Sequence, residues 1–280
     1  MHAHHHLDSN MVWYGWQAWD FSSLLLMFFM IGFYIYANSR WQSVRVKHKV
    51  AFGFAMLTYF IAMVSPMQYL GHHALFSMHM TQQSLMYMVF PPLVLLGIPT
   101  EWYAGWMKRP KVDRLFRFLT KPLVTVLGFN ALFSLYHIPV VFDTAMQSNW
   151  LHIVYHSVLL LTAFQMWWSM LTPIPEQSSL SDLKRVAFIF SNGVILTPAC
   201  ALIVFANQVL YNTYIDVDPT LAWLPPLSDQ QAGGVIMKIV QELAYGITLT
   251  VTFFAWYRKE RKVGTDELTA EELAMLNQNK

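Results

Sequence analysis

Imidazole side chains recur in this chain at spacings that suit metal binding. His152 and His156 are four residues apart, so in a helix both project from one face, one turn apart. His79 stands between two methionines, and His137 ends an apolar stretch. Imidazole binds zinc, copper, iron or nickel, whereas thioether sulfur favours Cu(I). The pattern predicts a metal site with these candidate ligands: His79, His152, His156, His137, His72, His73, Met78 and Met80.

Other polar residues of the apolar stretches allow two interpretations each. Cys200 is the single cysteine, which excludes an internal disulfide, and it is either a soft ligand or a small packing residue. Lys238 and Glu242 stand four residues apart. Charges inside a membrane are costly and often functional, but a lysine can also snorkel to the interface beside a neutralising carboxylate.

The composition indicates a membrane protein. Of the 280 residues, 55% are hydrophobic and only 12% are charged, compared with about a quarter charged in soluble domains. A transmembrane helix needs about 20 mostly apolar residues. Seven segments meet this requirement, at roughly 17–36, 50–66, 76–98, 123–138, 150–171, 186–206 and 234–257. The predicted fold is all-α, with an extracytoplasmic segment 1–16, a seven-helix domain 17–257 and a cytoplasmic tail 258–280.

The positive charges predict the orientation of these spans. Seventeen of the 18 Lys and Arg residues fall in four clusters, at 40–49, 108–121, 184–185 and 258–280. The intervening loops lack them, so by the positive-inside rule the N terminus is outside and the C terminus is cytoplasmic. All histidines except His48 belong to the opposite, outer side. The net charge of +2 reflects loops that meet anionic lipid, and it predicts no nucleic-acid partner.

Two consecutive prolines predict an irregular third span. Pro91 and Pro92 cannot donate to the carbonyl groups of Tyr87 and Met88, so the helix should depart from straightness there. Gly97 follows, and a residue without a side chain permits a close helix contact.

Three sequence blocks, taken in order, carry a family resemblance. The first is His79-Met-Thr-Gln-Gln-Ser-Leu-Met with the Pro91–Pro99 segment; the second runs from Tyr136 to Pro173; the third is Leu227–Met237. Together they resemble the CtaG family of bacterial cytochrome c oxidase assembly factors. One position departs from it, because many members have a second histidine where this chain has Gln83.

The resemblance implies a function. It implies a multi-pass protein of the bacterial cell membrane that is not an enzyme and that supplies copper, as Cu(I), for the copper B centre of a haem–copper oxidase. The implied partners are the oxidase subunit that carries this centre, an extracytoplasmic copper donor and membrane lipid, and a homodimer is left open. The alternatives are a haem-binding or quinol-oxidising membrane enzyme and a metal-free assembly scaffold.

Overall fold

The computed structural model describes residues 15–40, 44–174, 178, 180–217 and 220–278. These residues form helices joined by short connections, with no strand among them. The predicted all-α class is confirmed. Most of the predicted segment 1–16, with its four N-terminal histidines, lies outside the described residues.

The helices follow one another with few long connections. In chain order they are α1 (Phe21–Arg40), α2 (Val46–Tyr59) with a π-helical turn at Phe60–Val64, α3 (Pro66–His73), α4 (Phe76–Ser84), a second π-helical turn at Leu85–Val89, α5 (Phe90–Gly97), α6 (Thr100–Met107), α7 (Pro110–Leu119), α8 (Pro122–Tyr136), α9 (Pro139–Gln147), α10 (Asn149–Leu171), α11 (Asp182–Val204) and α12 (Pro226–Gln278). Proline fits the first turn of α3, α7, α8 and α9, where its missing N–H has no helical partner anyway.

Several helices are apolar and long enough to cross a membrane. Among the described residues, α1, α11 and the Pro226–Lys262 part of α12 qualify singly. Two bent pairs raise the number to five if each is one span: α2 with α3, bent by 43°, and α7 with α8, bent by 59°. The chain is thus a membrane protein. Helices α4, α5 and α10, which correspond to the predicted third and fifth spans, are not among these five; seven spans and their orientation stay predictions.

The third predicted span is irregular near its prolines, as expected. A π-helical turn at Leu85–Val89 joins α4 to α5 just before Pro91. The Tyr87 carbonyl, which Pro91 leaves without its helical donor, accepts a hydrogen bond of 2.9 Å from the indole Nε1 of Trp167 in α10. The defect is therefore compensated by a neighbouring helix, and it fixes α10 against α4 and α5.

Two glycines allow helices to touch backbone to backbone. A Cβ at Gly97 would lie 2.9 Å from the backbone nitrogen of Phe52 in α2, so the predicted close contact is confirmed. A Cβ at Gly71 would lie 2.9 Å from the backbone nitrogen of His79. Side chains at either position would force the helices apart. The Gly71 contact holds the end of α3, with His72 and His73, directly beside α4.

The connection between α11 and α12 packs over the same end of the bundle. Tyr211 is fully buried, stacks on Phe76 at 4.6 Å between ring centres, and donates a 3.0 Å hydrogen bond to the carbonyl of His137. Asp143 of α9 accepts a hydrogen bond of 3.1 Å from the backbone nitrogen of Asn212. This connection closes the bundle over α4 and α9.

The predicted orientation can be tested by cysteine labelling. Gln147 is exposed at the end of α9, and Val112 is 39% exposed in α7. Because the positive-inside rule places 108–121 in the cytoplasm, a membrane-impermeant maleimide should label Gln147→Cys in intact cells but Val112→Cys only after lysis. The native Cys200 is buried and gives little background. The opposite labelling pattern would reverse the topology.

Candidate metal centre

Three imidazoles converge between α4 and α10. His79, His152 and His156 each offer one ring nitrogen, and the three nitrogens lie within 4.8 Å of one another. The ring centres of His152 and His156 are 4.1 Å apart, as one helical turn on one face requires, and His79 lies 5.7 Å from His156. These residues are called the three-imidazole group below.

The group is largely removed from solvent, and one nitrogen in it has no hydrogen-bond partner. His79 is 1% exposed, and His152 and His156 are half-buried. Nε2 of His152 is buried with no protein atom to bond. Since buried polar atoms are almost always paired, an orphaned imidazole nitrogen beside two others fits a metal ion as the missing partner.

A buried tyrosine connects two of the imidazoles. The Tyr136 hydroxyl lies 3.1 Å from Nε2 of His79 and 3.0 Å from Nε2 of His156. A hydroxyl has one proton, so it donates to one nitrogen and accepts from the other. The Tyr87 hydroxyl bonds to Nδ1 of His156 from the other side. Sequence reasoning missed both tyrosines, because nothing in their spacing separates them from other aromatic residues of an apolar helix.

Gln83 also belongs to the site. It is 2% exposed, one turn after His79, and its Nε2 lies 2.9 Å from Nε2 of His79, whereas its Oε1 is buried without a partner. An amide nitrogen has no acceptor lone pair, so in this orientation Gln83 donates to His79. The position at which the chain departs from the family pattern thus directly adjoins the predicted metal ligands.

His137 and the two methionines lie outside the three-imidazole group. His137 is fully buried and its Nδ1 donates to the Phe133 carbonyl at 2.7 Å; its Nε2 has no partner. Met80 is fully buried, and its Cγ would lie 3.0 Å from a Cβ at Gly233. Met78 packs on the small apolar cluster that contains Leu70. The packing of these three side chains resembles that of core residues.

His72 and His73 adjoin the group without joining it. The His72 ring lies nearly face to face with that of His152, with 5.1 Å between ring centres and 29° between planes. The exposed ring of His73 is 4.9 Å from that of His72. Burial lowers the number of water partners for His72, whose Nδ1 is buried and unpaired, although Asn149 hydrogen-bonds to the same ring.

A cavity of about 350 Å³ opens beside the group. His152, His156 and Gln83 line it together with Asp20, which immediately precedes α1. Burial by itself would raise the pKa of the Asp20 carboxyl, but hydrogen bonds from Ser22 and Ser23 outweigh burial, and the pKa lies below its usual value. The cavity therefore has an ionised carboxylate on its wall, which favours a cation.

The remaining polar candidates have local partners. The thiol of Cys200 is buried between α11 and α12, 3.7 Å from Oε1 of Gln241. Nζ of Lys238 lies 2.6 Å from Glu242 and also donates to Thr197 at 2.8 Å. These contacts favour the packing and snorkelling interpretations.

Comparison with known proteins identifies the family. An uncharacterized protein of Mycobacterium leprae is 24% identical over 220 residues, which cover 69% of this chain and 32% of that protein. An uncharacterized protein of Mycobacterium tuberculosis is 24% identical over 219 residues, with the same coverage. The chain thus spans about a third of the length of these relatives, and no solved structure matches it.

The family model described as cytochrome c oxidase caa3 assembly factor matches residues 28–259, which include every histidine discussed above except those of the N-terminal segment. This range covers most of the chain and confirms the resemblance seen in the three sequence blocks. The chain belongs to the cytochrome c oxidase caa3 assembly factor (Caa3_CtaG) family.

Proposed function

We propose that this protein binds Cu(I) at the three-imidazole group and hands it to a haem–copper oxidase in the bacterial cell membrane, for the copper B centre. The observation that carries the proposal is the approach of three ring nitrogens to within 4.8 Å, one of them without a partner. Membership of an oxidase assembly family supplies the recipient. The copper identity rests on that recipient, because imidazole alone suits several metals.

The coordination number fits transfer better than storage. A closed four-ligand site retains its metal, whereas three protein ligands leave a position open for exchange. His79, His152 and His156 would hold the ion, and the adjoining cavity would admit the incoming ligand of a partner. The ion is cargo in this proposal, so no residue of the chain needs to perform chemistry on it.

Tyr136, Tyr87 and Gln83 would act on the ligands and not on the ion. Tyr136 and Gln83 contact Nε2 of His79, the atom that would bind metal, so they compete with it. Tyr87 contacts Nδ1 of His156, and an imidazole that binds metal through Nε2 donates its other N–H to such a partner. The two tyrosines should therefore have opposite effects on affinity.

A metal-free scaffold is the second candidate. It is favoured by the same hydrogen bonds, because Tyr136, Tyr87 and Gln83 provide partners to His79 and His156 in the absence of any ion. The scaffold has no use for the unpaired Nε2 of His152. Copper binding by the purified protein separates the two candidates, and a haem absorption spectrum would instead support the haem-binding alternative.

The first test removes single ligands. We expect His79→Gln, His152→Ala and His156→Ala to weaken Cu(I) binding by more than the roughly 10–100-fold that loss of a second-shell partner costs, measured by competition with a Cu(I) chelator, and to lower oxidase activity in cells. His48→Ala is the matched control, since its Nδ1 bonds to the Leu96 carbonyl near α2 and it does not belong to the group. Normal copper delivery by all three variants at normal protein levels would leave the scaffold as the better explanation.

The second test compares the tyrosines. Tyr136→Phe removes a competing hydroxyl, so Cu(I) affinity should rise by about tenfold, the value of one or two hydrogen bonds of about 1 kcal/mol. Tyr87→Phe removes the partner of His156 Nδ1 and should lower affinity by about 10–100-fold. Each variant is compared with wild type by chelator competition and by thermal unfolding. Weaker binding by Tyr136→Phe would show that the hydroxyl is itself a ligand.

The third test restores the family residue at position 83. Gln83→His places a further imidazole one turn from His79, in the wall of the cavity that His152 and His156 also line. A fourth nitrogen ligand should increase Cu(I) affinity and slow release to a chelator, because a closed site retains metal. Gln83→Asn, which keeps the amide, is the control. Unchanged affinity in the histidine variant would place residue 83 outside the coordination sphere.

A further inference from the structure

Five imidazoles form a continuous row from the surface to the interior. His73 is exposed, His72 and His152 are half-buried, and His79 at the inner end is 1% exposed. Successive ring centres are 4.9 Å apart from His73 to His72, 5.1 Å from His72 to His152 and 4.1 Å from His152 to His156. The three-imidazole group is therefore the inner end of a longer arrangement.

The separations are short enough for neighbouring rings to share an ion. With metal–nitrogen bonds of about 2 Å, as in zinc sites, two imidazoles on opposite sides of one ion have ring centres roughly 6 Å apart. Each step of the row is shorter than this. An ion could thus pass along the row while keeping at least one nitrogen ligand throughout.

The junction between α3 and α10 has free nitrogens on both sides. Nδ1 of His72 and Nε2 of His152 are both buried without a hydrogen-bond partner. Unpaired buried nitrogens are rare, and two of them on rings 5.1 Å apart point to a shared ligand. A merely structural stack of imidazoles would not leave both atoms unsatisfied.

The backbone fixes the outer imidazoles at this distance. Gly71 touches the backbone nitrogen of His79, and its carbonyl accepts a hydrogen bond from the Tyr214 hydroxyl. Position 71 therefore anchors the last turn of α3 from two sides. His72 and His73 follow immediately, so their placement beside His152 is part of the packed structure.

We infer that His73 and His72 form a loading row through which Cu(I) passes between the outer surface and the three-imidazole group. The inference rests on the proposed function. Each step is a ligand exchange without electron transfer: a copper–nitrogen bond to the next imidazole forms as the bond to the previous one breaks. His73 receives the ion, His72 carries it past the α3 end, and His152 is the first ligand of the resting site.

The loading row affects rates, not the final occupancy. We expect His72→Ala and His73→Ala to slow Cu(I) uptake several-fold in stopped-flow measurements on the full chain in detergent, with ascorbate as reductant. The bound copper at equilibrium and the affinity should remain those of wild type, because neither residue belongs to the resting site. Release to a chelator should slow by the same factor as uptake, since both directions use one path.

Two controls give the experiment its resolution. His48→Ala removes an imidazole elsewhere in the chain and should leave the uptake rate unchanged. Asp20→Asn neutralises the carboxylate on the cavity wall while retaining an amide oxygen that can cap α1. Slow uptake in Asp20→Asn with normal rates in both histidine variants would assign entry to the cavity and overturn the loading row.

The remaining outcomes also decide the matter. If His72→Ala weakens affinity as much as His152→Ala does, His72 is a resident ligand and the inference is wrong. If wild type takes up no Cu(I), the proposed function fails together with the inference. If wild type binds Cu(I) and loses it in His152→Ala, but uptake is insensitive to positions 72 and 73, only the loading row fails.

Discussion

Imidazoles buried in an apolar helical bundle must find their partners within the protein, and this constraint organises the site. Each ring nitrogen removed from water needs a donor, an acceptor or a metal ion. Tyr136 and Gln83 supply partners to His79, and Tyr87 supplies one to His156. The surrounding helices are fixed accordingly: the Gly71 contact brings α3 to α4, and Trp167 ties α10 to the carbonyl that Pro91 leaves free.

The sequence predicts much of this framework because the relevant signals are local. Pro91 marked the irregular helix, Gly97 marked the close contact, and the four-residue spacing of His152 and His156 put both on one face. That His79 would meet them depended on several helices reaching a common depth, which charge sorting indicated only indirectly. The detailed partners could not be predicted, since which aromatic hydroxyl faces an imidazole depends on the rotation of each helix. Tyr136 illustrates this: it lies beside His137 in sequence, yet it is Tyr136 that contacts the group.

His137 and the methionines show the opposite limit. Their types suit copper, and their positions near the outer face made them reasonable ligands, but side-chain direction decides coordination. His137 turns its Nδ1 to its own helix, and Met80 packs towards Gly233 of α12. Residue type and depth therefore define a set of candidates, whereas rotation about the helix axis selects among them. Gln83 was noticed only as a departure from a family pattern; one helical turn from His79 explains why that position matters.

The hydrogen bonds that satisfy the empty group also limit how tightly it can hold an ion. Binding at Nε2 of His79 and His156 must displace the Tyr136 hydroxyl and the Gln83 amide, each hydrogen bond having a net value of about 0.5–1.5 kcal/mol. Two or three such bonds lower the affinity by roughly one to three powers of ten relative to a group without competitors. When an ion leaves, the same bonds re-form, so the empty state is not left with unpaired nitrogens at His79 and His156. A site with internal competitors and an open coordination position thus favours release to an acceptor with stronger ligands, which is what a protein that supplies metal during assembly requires.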